Sequence, residues 1–167
     1  MTTARTSLAR RLTAPAVALL AGTGIALAPG IAQANTSGGT AVAAAPAVAP
    51  NQAAQTAVDT ALAQQGKPYA WGGAGPNSFD CSGLAQFAYA AAGVSLPHSS
   101  RTQSTLGVPV GRANLQPGDL VFFYSPVSHV AIYIGNGQIV QASTYGQPVA
   151  VTYLDYMPGY NTARRIV

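Results

Sequence analysis

One cysteine is the side chain best suited to nucleophilic chemistry in this sequence. Cys81 is the only cysteine among the 167 residues, and Asp80 and Ser82 flank it. It stands where a glycine-rich stretch gives way to helical periodicity, and the free N–H groups and dipole of a helix start favour a thiolate. We therefore predict that Cys81 is a nucleophile with a lowered pKa. An inert apolar side chain and an intermolecular disulfide are the alternative interpretations.

A thiol nucleophile needs a base, and the sequence offers two histidines for that role. His129 begins an otherwise apolar, β-branched run, residues 130–134, which predicts a strand. His98 lies in a turn-rich segment, which favours an exposed loop side chain. We predict that His129 is the base. The alternative is that His129 is simply a polar residue exposed at the sheet edge.

Gln141 is the candidate to orient the imidazole of His129, because such a base usually needs a partner that fixes its ring and tautomer. Residues 135–137, Gly-Asn-Gly, predict the turn between the two strands. A three-residue loop would set Ala131 opposite Gln141 and bring Gln141 onto the face of His129. A two-residue loop would turn Gln141 to the opposite face. The orienting role therefore requires the longer loop or a bulge; otherwise Gln141 is an ordinary polar strand residue.

Apolar periodicity predicts helices first and strands later. A helix is predicted over 51–65 and a second one from Cys81 to Ala92, with a Gly/Pro-rich loop at 69–79 between them. Turn residues fill 94–118. Apolar runs then predict an antiparallel meander of four strands, at 119–124, 129–134, 138–143 and 149–153. This order predicts an α+β domain with its N-terminal helices packed on one face of a central antiparallel sheet.

The low charge of the chain excludes several classes of protein. Charged residues make up 7% of the sequence, which excludes a highly charged disordered protein. Three of the eight Lys and Arg residues lie in the first eleven positions, so the basic character is mostly N-terminal and gives no case for nucleic-acid binding. No apolar run reaches the roughly 18–20 residues of a membrane span, which excludes a multi-pass membrane protein.

Residues 1–34 have the pattern of a secretion signal peptide. A basic start precedes a short apolar stretch, and Ala32-Gln33-Ala34 fits an A-x-A cleavage site. A retained anchor is the alternative, but prolines and glycines interrupt the apolar stretch. Residues 35–50, rich in Ala, Pro, Ser, Thr and Gly, predict a flexible tether, and 51–167 are predicted to form one folded domain. We expect a secreted protein without stable membrane insertion after signal cleavage.

Four sequence blocks resemble the NlpC/P60 family of bacterial cell-wall peptidases. They occur in the family's order over roughly residues 52–167: PYAWGG (68–73), FDCSGL (79–84), QPGDLVFF (116–123) and HVAIYIG (129–135). The resemblance implies a papain-like NlpC/P60 fold. It also implies a cysteine endopeptidase of peptidoglycan stem peptides that cuts the bond between D-γ-Glu and diaminopimelate or Lys. We expect a monomer associated with the cell wall.

The resemblance also implies roles for individual residues. Cys81 matches the family nucleophile and His129 the base. The third polar position, often His in the family, is Gln141, which can accept from an imidazole N–H but cannot share a positive charge. Tyr69 matches a tyrosine thought to help at the oxyanion. Asp80 and Ser82 match positions that, in some members, hold the free amine of a short peptide.

Structural roles compete with these implied roles. Asp80 could instead cap the helix, and Ser82 could be a solvated first-turn residue. Tyr69 and Trp71 could serve in packing, the interpretation that we favour for Trp71. Arg101 and Gln103 could face an acidic substrate, but their turn-rich surroundings favour a solvated loop. One Cys and two separated His make no zinc pattern, so we expect neither a metal nor another cofactor.

Three other functions stay open at this point. A non-hydrolytic wall-binding module could keep the fold. A thiol amidase or acyltransferase could use the same scaffold. A structural protein could be joined to a second chain through Cys81.

Overall fold

A computed structural model describes residues 50–167, so the predicted signal peptide and residues 35–49 of the predicted tether lie outside the described residues. The helix α1 spans Pro50–Leu62, α2 spans Cys81–Ala91, and the single turn α3 spans Ser100–Gln103. α1 ends before the predicted boundary because residues 63–66 form a hydrogen-bonded turn, which Gly66 closes with a φ of 84°. No helix within 50–167 is long and apolar enough to cross a membrane.

Six strands form one antiparallel sheet in the order β1-β6-β2-β3-β4-β5. The predicted meander is confirmed as β2 to β5. Two strands were not predicted from the sequence: β6, which pairs with β2, and β1, which pairs with β6 at the edge of the sheet. β6 lacks an apolar pattern because only Ala163 on it is buried. The strands are β1 Val108–Pro109, β2 Leu120–Phe123, β3 His129–Gly135, β4 Gln138–Gln141, β5 Ala150–Tyr153 and β6 Tyr160–Arg165.

The central strands of the sheet are covered on both faces. One face packs against α1 and α2, as predicted, and its core includes Ala57, Val58, Leu84, Ala88, Leu120, Phe122, Val130, Ile132 and Val140. The other face carries a second, smaller core of Val121, Phe123, Ala131, Ile139, Leu154 and Ala163. Both faces of β2 and β3 are therefore removed from water, which explains why these strands read as continuous apolar runs.

The β3–β4 hairpin contains both features that the sequence left as alternatives. Gly135 pairs with Gln138 across a two-residue turn, in which Asn136 has a φ of 51° and Gly137 a φ of 71°. The register then shifts between Tyr133 and Gly135, so that Ile132 pairs with Val140. Continued by one residue, this register sets Ala131 opposite Gln141. The bulge therefore returns Gln141 to the sheet face that carries His129.

The first turn of α2 approaches the preceding loop too closely for a side chain at Gly83. A methyl group there would lie 2.0 Å from the carbonyl oxygen of Gly73. We expect Gly83→Ala to lower the free energy of unfolding by about 3 kcal/mol or more, as measured by denaturant titration. Gly93→Ala is the control, because its φ of 77° is strained but its methyl group would meet nothing within 4 Å. The free energy of unfolding of Gly93→Ala should fall by about 1–2 kcal/mol. Equal losses in the two variants would contradict the close approach at Gly83.

Candidate functional site

The loop before α2 is held by its own backbone hydrogen bonds. The N–H of Phe79 donates to the oxygen of Pro68 at 3.1 Å, and the N–H of Ala70 donates to the oxygen of Phe79 at 3.0 Å. The N–H of Asp80 donates to the oxygen of Gly73 at 2.8 Å. The ring of Phe79 is fully buried and anchors this arrangement. Cys81, the first residue of α2, therefore begins its helix from a fixed support.

Asp80 caps α2 and ties it to its surroundings. Its Oδ1 accepts from the N–H of Gly83 at 2.7 Å and from the hydroxyl of Ser82 at 3.0 Å. Its Oδ2 accepts from the N–H of Gly72 at 2.9 Å. The Nε2 atom of His98 lies 2.9 Å from both carboxylate oxygens. Of the two roles considered for Asp80, the structure contains the helix cap, and contact with a substrate stays a prediction.

Ser82 is buried, so the solvated alternative for this residue is wrong. It is 6% exposed, and its hydroxyl is engaged with Asp80. The cause is that the first turn of α2 lies beneath the loop that carries His98. Gln103, in the α3 turn that follows that loop, donates from Nε2 to the oxygen of Ser82 at 3.0 Å. A direct contact between Ser82 and a substrate stays a prediction.

The environment of the Cys81 thiol differs from the predicted one. Burial raises the pKa of Cys81 above its ordinary value, and the nearby carboxylate of Asp80 adds to this effect. The backbone N–H groups of Val130, Ser82 and Cys81 itself oppose the rise by stabilising the thiolate. The predicted lowering of the pKa is therefore wrong for the free protein, because loss of solvation outweighs the helix N-terminus. The residue is half-buried and forms no disulfide within residues 50–167.

His129 is held between an amide and an aromatic ring. Its Nε2 lies 2.6 Å from Oε1 of Gln141, and its ring packs 5.6 Å from that of Phe123, centroid to centroid. The amide of Gln141 is oriented by its other end, where Nε2 donates to the sulfur of Met157 at 3.3 Å. An amide oxygen only accepts hydrogen bonds, so Nε2 of His129 carries the proton and Nδ1 of the neutral ring is free to accept one.

Burial favours the uncharged form of His129, as it does for the Cys81 thiol. Burial lowers the pKa of His129 below its usual 6.5, and the hydrogen bond to Gln141 opposes this by favouring the charged ring. Together with the raised pKa of Cys81, this favours a neutral thiol beside a neutral imidazole near pH 7. In that neutral ring, Nδ1 is the nitrogen that can accept a proton.

A cavity of about 340 Å³ brings most of the predicted site residues together. Cys81 and His129 both line it, and Gln141 lies behind the imidazole. Tyr69 lies in the wall with its ring 5.0 Å from that of Tyr145. The pKa of Tyr69 is raised, first by burial and then by the charges of Cys81 and Asp80. The remaining lining residues are Trp71, Gly72, Asp80, Ser82, His98, Ser99, Ser100, Arg101, Ser128 and Ser143.

The positions or contacts of three residues in this region were not foreseen from the sequence. His98 lies in an exposed loop as expected, but its imidazole contacts Asp80 and lines the cavity. Trp71 is 81% exposed at the cavity, so the packing role favoured for it is wrong. Gln103 is fully buried, so the solvated loop predicted for it is also wrong. No sequence signal links His98 to Asp80, because the contact depends on how a turn-rich segment folds back over α2.

We searched residues 50–167 for side chains that could bind a metal ion together. Within 50–167 there is no cluster of three or more His, Cys, Asp or Glu side chains that could hold a metal ion.

Comparison with known sequences gives a consistent set of relatives. The NlpC/P60 family profile matches residues 66–164. A probable endopeptidase of Mycobacterium tuberculosis (strain H37Rv) is 53% identical over 108 residues, which make up 65% of this chain and 28% of that protein. A probable endopeptidase of Corynebacterium glutamicum is 46% identical over 121 residues, covering 72% of this chain and 56% of that protein. The chain therefore spans less than two thirds of the length of either relative.

Solved structures share the fold. The peptidoglycan hydrolase RipB of Mycobacterium tuberculosis matches with a TM-score of 0.67 and 33% identity, covering 80% of this chain and 74% of that one. The P60 domain of an antigen from M. avium subspecies paratuberculosis matches with a TM-score of 0.66 and 32% identity. The match covers 72% of this chain and 98% of that domain's chain. These likenesses confirm the predicted α+β, papain-like fold.

The ionisation of Cys81 can be measured by alkylation with iodoacetamide. Because the pKa of the thiol is raised, the thiolate fraction should grow about tenfold per pH unit from roughly pH 6 to 8.5. The alkylation rate of the free protein, followed by mass spectrometry, should rise by the same factor. Cys81→Ala is the control and should take up no label, since the chain has one cysteine. An alkylation rate that does not change across this range would mean that the thiol is already ionised at about pH 6. That result would support the lowered pKa predicted from the sequence.

Proposed function

The chain belongs to the NlpC/P60 family, and we propose that it is a secreted cysteine endopeptidase acting on the stem peptides of peptidoglycan. The observation that carries the proposal is the joint placement of Cys81, His129 and Gln141. The first two line one cavity, and the third holds the imidazole through a 2.6 Å hydrogen bond. Relatives described as probable endopeptidases and a peptidoglycan hydrolase support the reaction class and the substrate.

The first half of the reaction forms an acyl-enzyme. Nδ1 of His129 takes the proton of the Cys81 thiol as the sulfur attacks the carbonyl carbon of the substrate. The backbone N–H of Cys81, with help from the hydroxyl of Tyr69, stabilises the oxyanion of the tetrahedral intermediate. The imidazolium of His129 then gives its proton to the leaving nitrogen as the C–N bond breaks. The products of this half are a thioester on Cys81 and a free amine.

The second half of the reaction releases the acid. His129, neutral again, takes a proton from water as the water oxygen attacks the thioester carbon. The C–S bond breaks, the carboxylic acid leaves, and the sulfur regains its proton from the imidazolium. Gln141 keeps the ring in one tautomer through both halves and contacts no reacting atom. It therefore acts as a positioning residue.

The substrate bond is proposed from the family. It is the amide between the γ-carboxyl of D-Glu and diaminopimelate, in a stem peptide that enters the cavity from outside the cell. Residues 1–34 would direct export, and residues 35–50 would tether the domain near the wall. We propose that the secreted protein is a monomer.

Muropeptide analysis tests the proposed function. The purified full chain, incubated with isolated peptidoglycan, should release products whose masses and new amines correspond to cleavage of the γ-Glu amide. Cys81→Ala should abolish release without unfolding, because the substitution removes only the sulfur from a half-buried site. Circular dichroism checks that the variant is folded.

Three outcomes, from this experiment and from two further assays, would contradict the proposal. Tight wall binding without any release would indicate a binding module. Transfer of the acyl group to an added amine in place of water would indicate an acyltransferase. A disulfide-linked dimer in non-reducing electrophoresis of the secreted form would indicate a structural role for Cys81.

A further inference from the structure

One side chain in the cavity wall, that of Arg101, carries a positive charge and has no ion-pair partner among the described residues. The carboxylate of Asp80 accepts from the N–H groups of Gly72 and Gly83 and contacts the imidazole of His98. Arg101 lines the same cavity and takes part in none of the ion pairs found among residues 50–167. The cavity thus has a satisfied anion and an available guanidinium, which favours an anionic group on its ligand.

The backbone of Arg101 is firmly held although its side chain is exposed. The hydroxyl of Ser104 donates to the oxygen of Arg101 at 2.7 Å. Two residues along the chain, the fully buried Gln103 donates to the oxygen of Ser82 at 3.0 Å and to that of Pro97 at 2.8 Å. These bonds join the turn that carries Arg101 to the first turn of the nucleophile helix. The distance from the guanidinium's attachment point to the start of α2 is therefore set by the fold.

We propose that Arg101 binds the free carboxylate of the glutamate whose γ-carboxyl forms the scissile amide, and that it makes the enzyme selective for that carboxylate. This inference rests on the proposed function. An amide formed through the γ-carboxyl of a glutamate leaves the α-carboxylate of that residue free. A guanidinium presents paired N–H donors that match a carboxylate. Arg101 is thus a specificity-determining residue, and a glutamate whose α-carboxyl is amidated is the poorer substrate.

Two synthetic stem peptides, acylated at the N-terminus, test this inference. They differ only in the γ-linked glutamate, which carries an α-carboxylate in one and an α-carboxamide in the other. For the wild-type full chain, kcat/KM should be about 10- to 100-fold higher for the carboxylate peptide. Arg101→Gln should lose about that factor on the carboxylate peptide and change less than about threefold on the carboxamide. Arg101→Lys should fall between the two, because it keeps the charge without the paired donors.

Arg112→Gln is the matched control. It removes the same charge from an exposed residue that pairs with Asp155 and lies outside the cavity. This variant should keep the wild-type preference for the carboxylate peptide.

The results that overturn the inference differ from those that overturn the proposed function. Equal kcat/KM of the wild type on both peptides, or equal losses on both in Arg101→Gln, would remove the selective role of Arg101. Hydrolysis of neither peptide would contradict the proposed function. In that case the dissociation constants, measured by calorimetry in the Cys81→Ala background, decide the role of Arg101 alone. Binding of the carboxylate peptide that Arg101→Gln leaves unchanged would refute it.

Discussion

The hydrogen bond between the imidazole of His129 and the side-chain oxygen of Gln141 is the interaction on which the candidate site depends. It places the proton of the neutral ring on Nε2 and leaves Nδ1 unprotonated. In the proposed mechanism, Nδ1 accepts the proton of Cys81. The bond in turn depends on one extra residue in β3, since without the bulge Gln141 would face the other side of the sheet. A backbone irregularity of the hairpin is therefore part of the chemistry of the site.

Burial shapes the site as much as hydrogen bonding does. Loss of solvation raises the pKa of Cys81 and lowers that of His129, so both effects favour the neutral pair over a resting ion pair. In the proposed mechanism, the N–H groups around the sulfur contribute most when negative charge develops during attack. The carboxylate of Asp80, close to the sulfur, is held by two backbone N–H groups and the ring of His98. Through these contacts the carboxylate caps α2 and fixes the loop in front of it.

Much of the architecture could be predicted from sequence because local signals determine it. The apolar runs of β2 to β5 and the helix start at Cys81 are visible in residue types and spacing. β6 was not foreseen because its side chains are mostly polar, and its place beside β2 depends on long-range pairing. The contact of His98 with Asp80 and the burial of Gln103 likewise depend on tertiary packing. The pKa of Cys81 was mispredicted because a helix terminus is visible in sequence, whereas the loss of solvation around it is not.

The most direct test of this account is the tautomer of His129, read from the long-range ¹⁵N–¹H correlation spectrum of its ring at about pH 8, where the imidazole is neutral. The account predicts a proton on Nε2 and a bare Nδ1 in the wild type. In Gln141→Ala it predicts a mixture of tautomers and a further fall in the pKa of His129, because the bond that favours the charged ring is lost. A proton on Nδ1 in the wild type, or a spectrum and pKa unaffected by Gln141→Ala, would contradict the account.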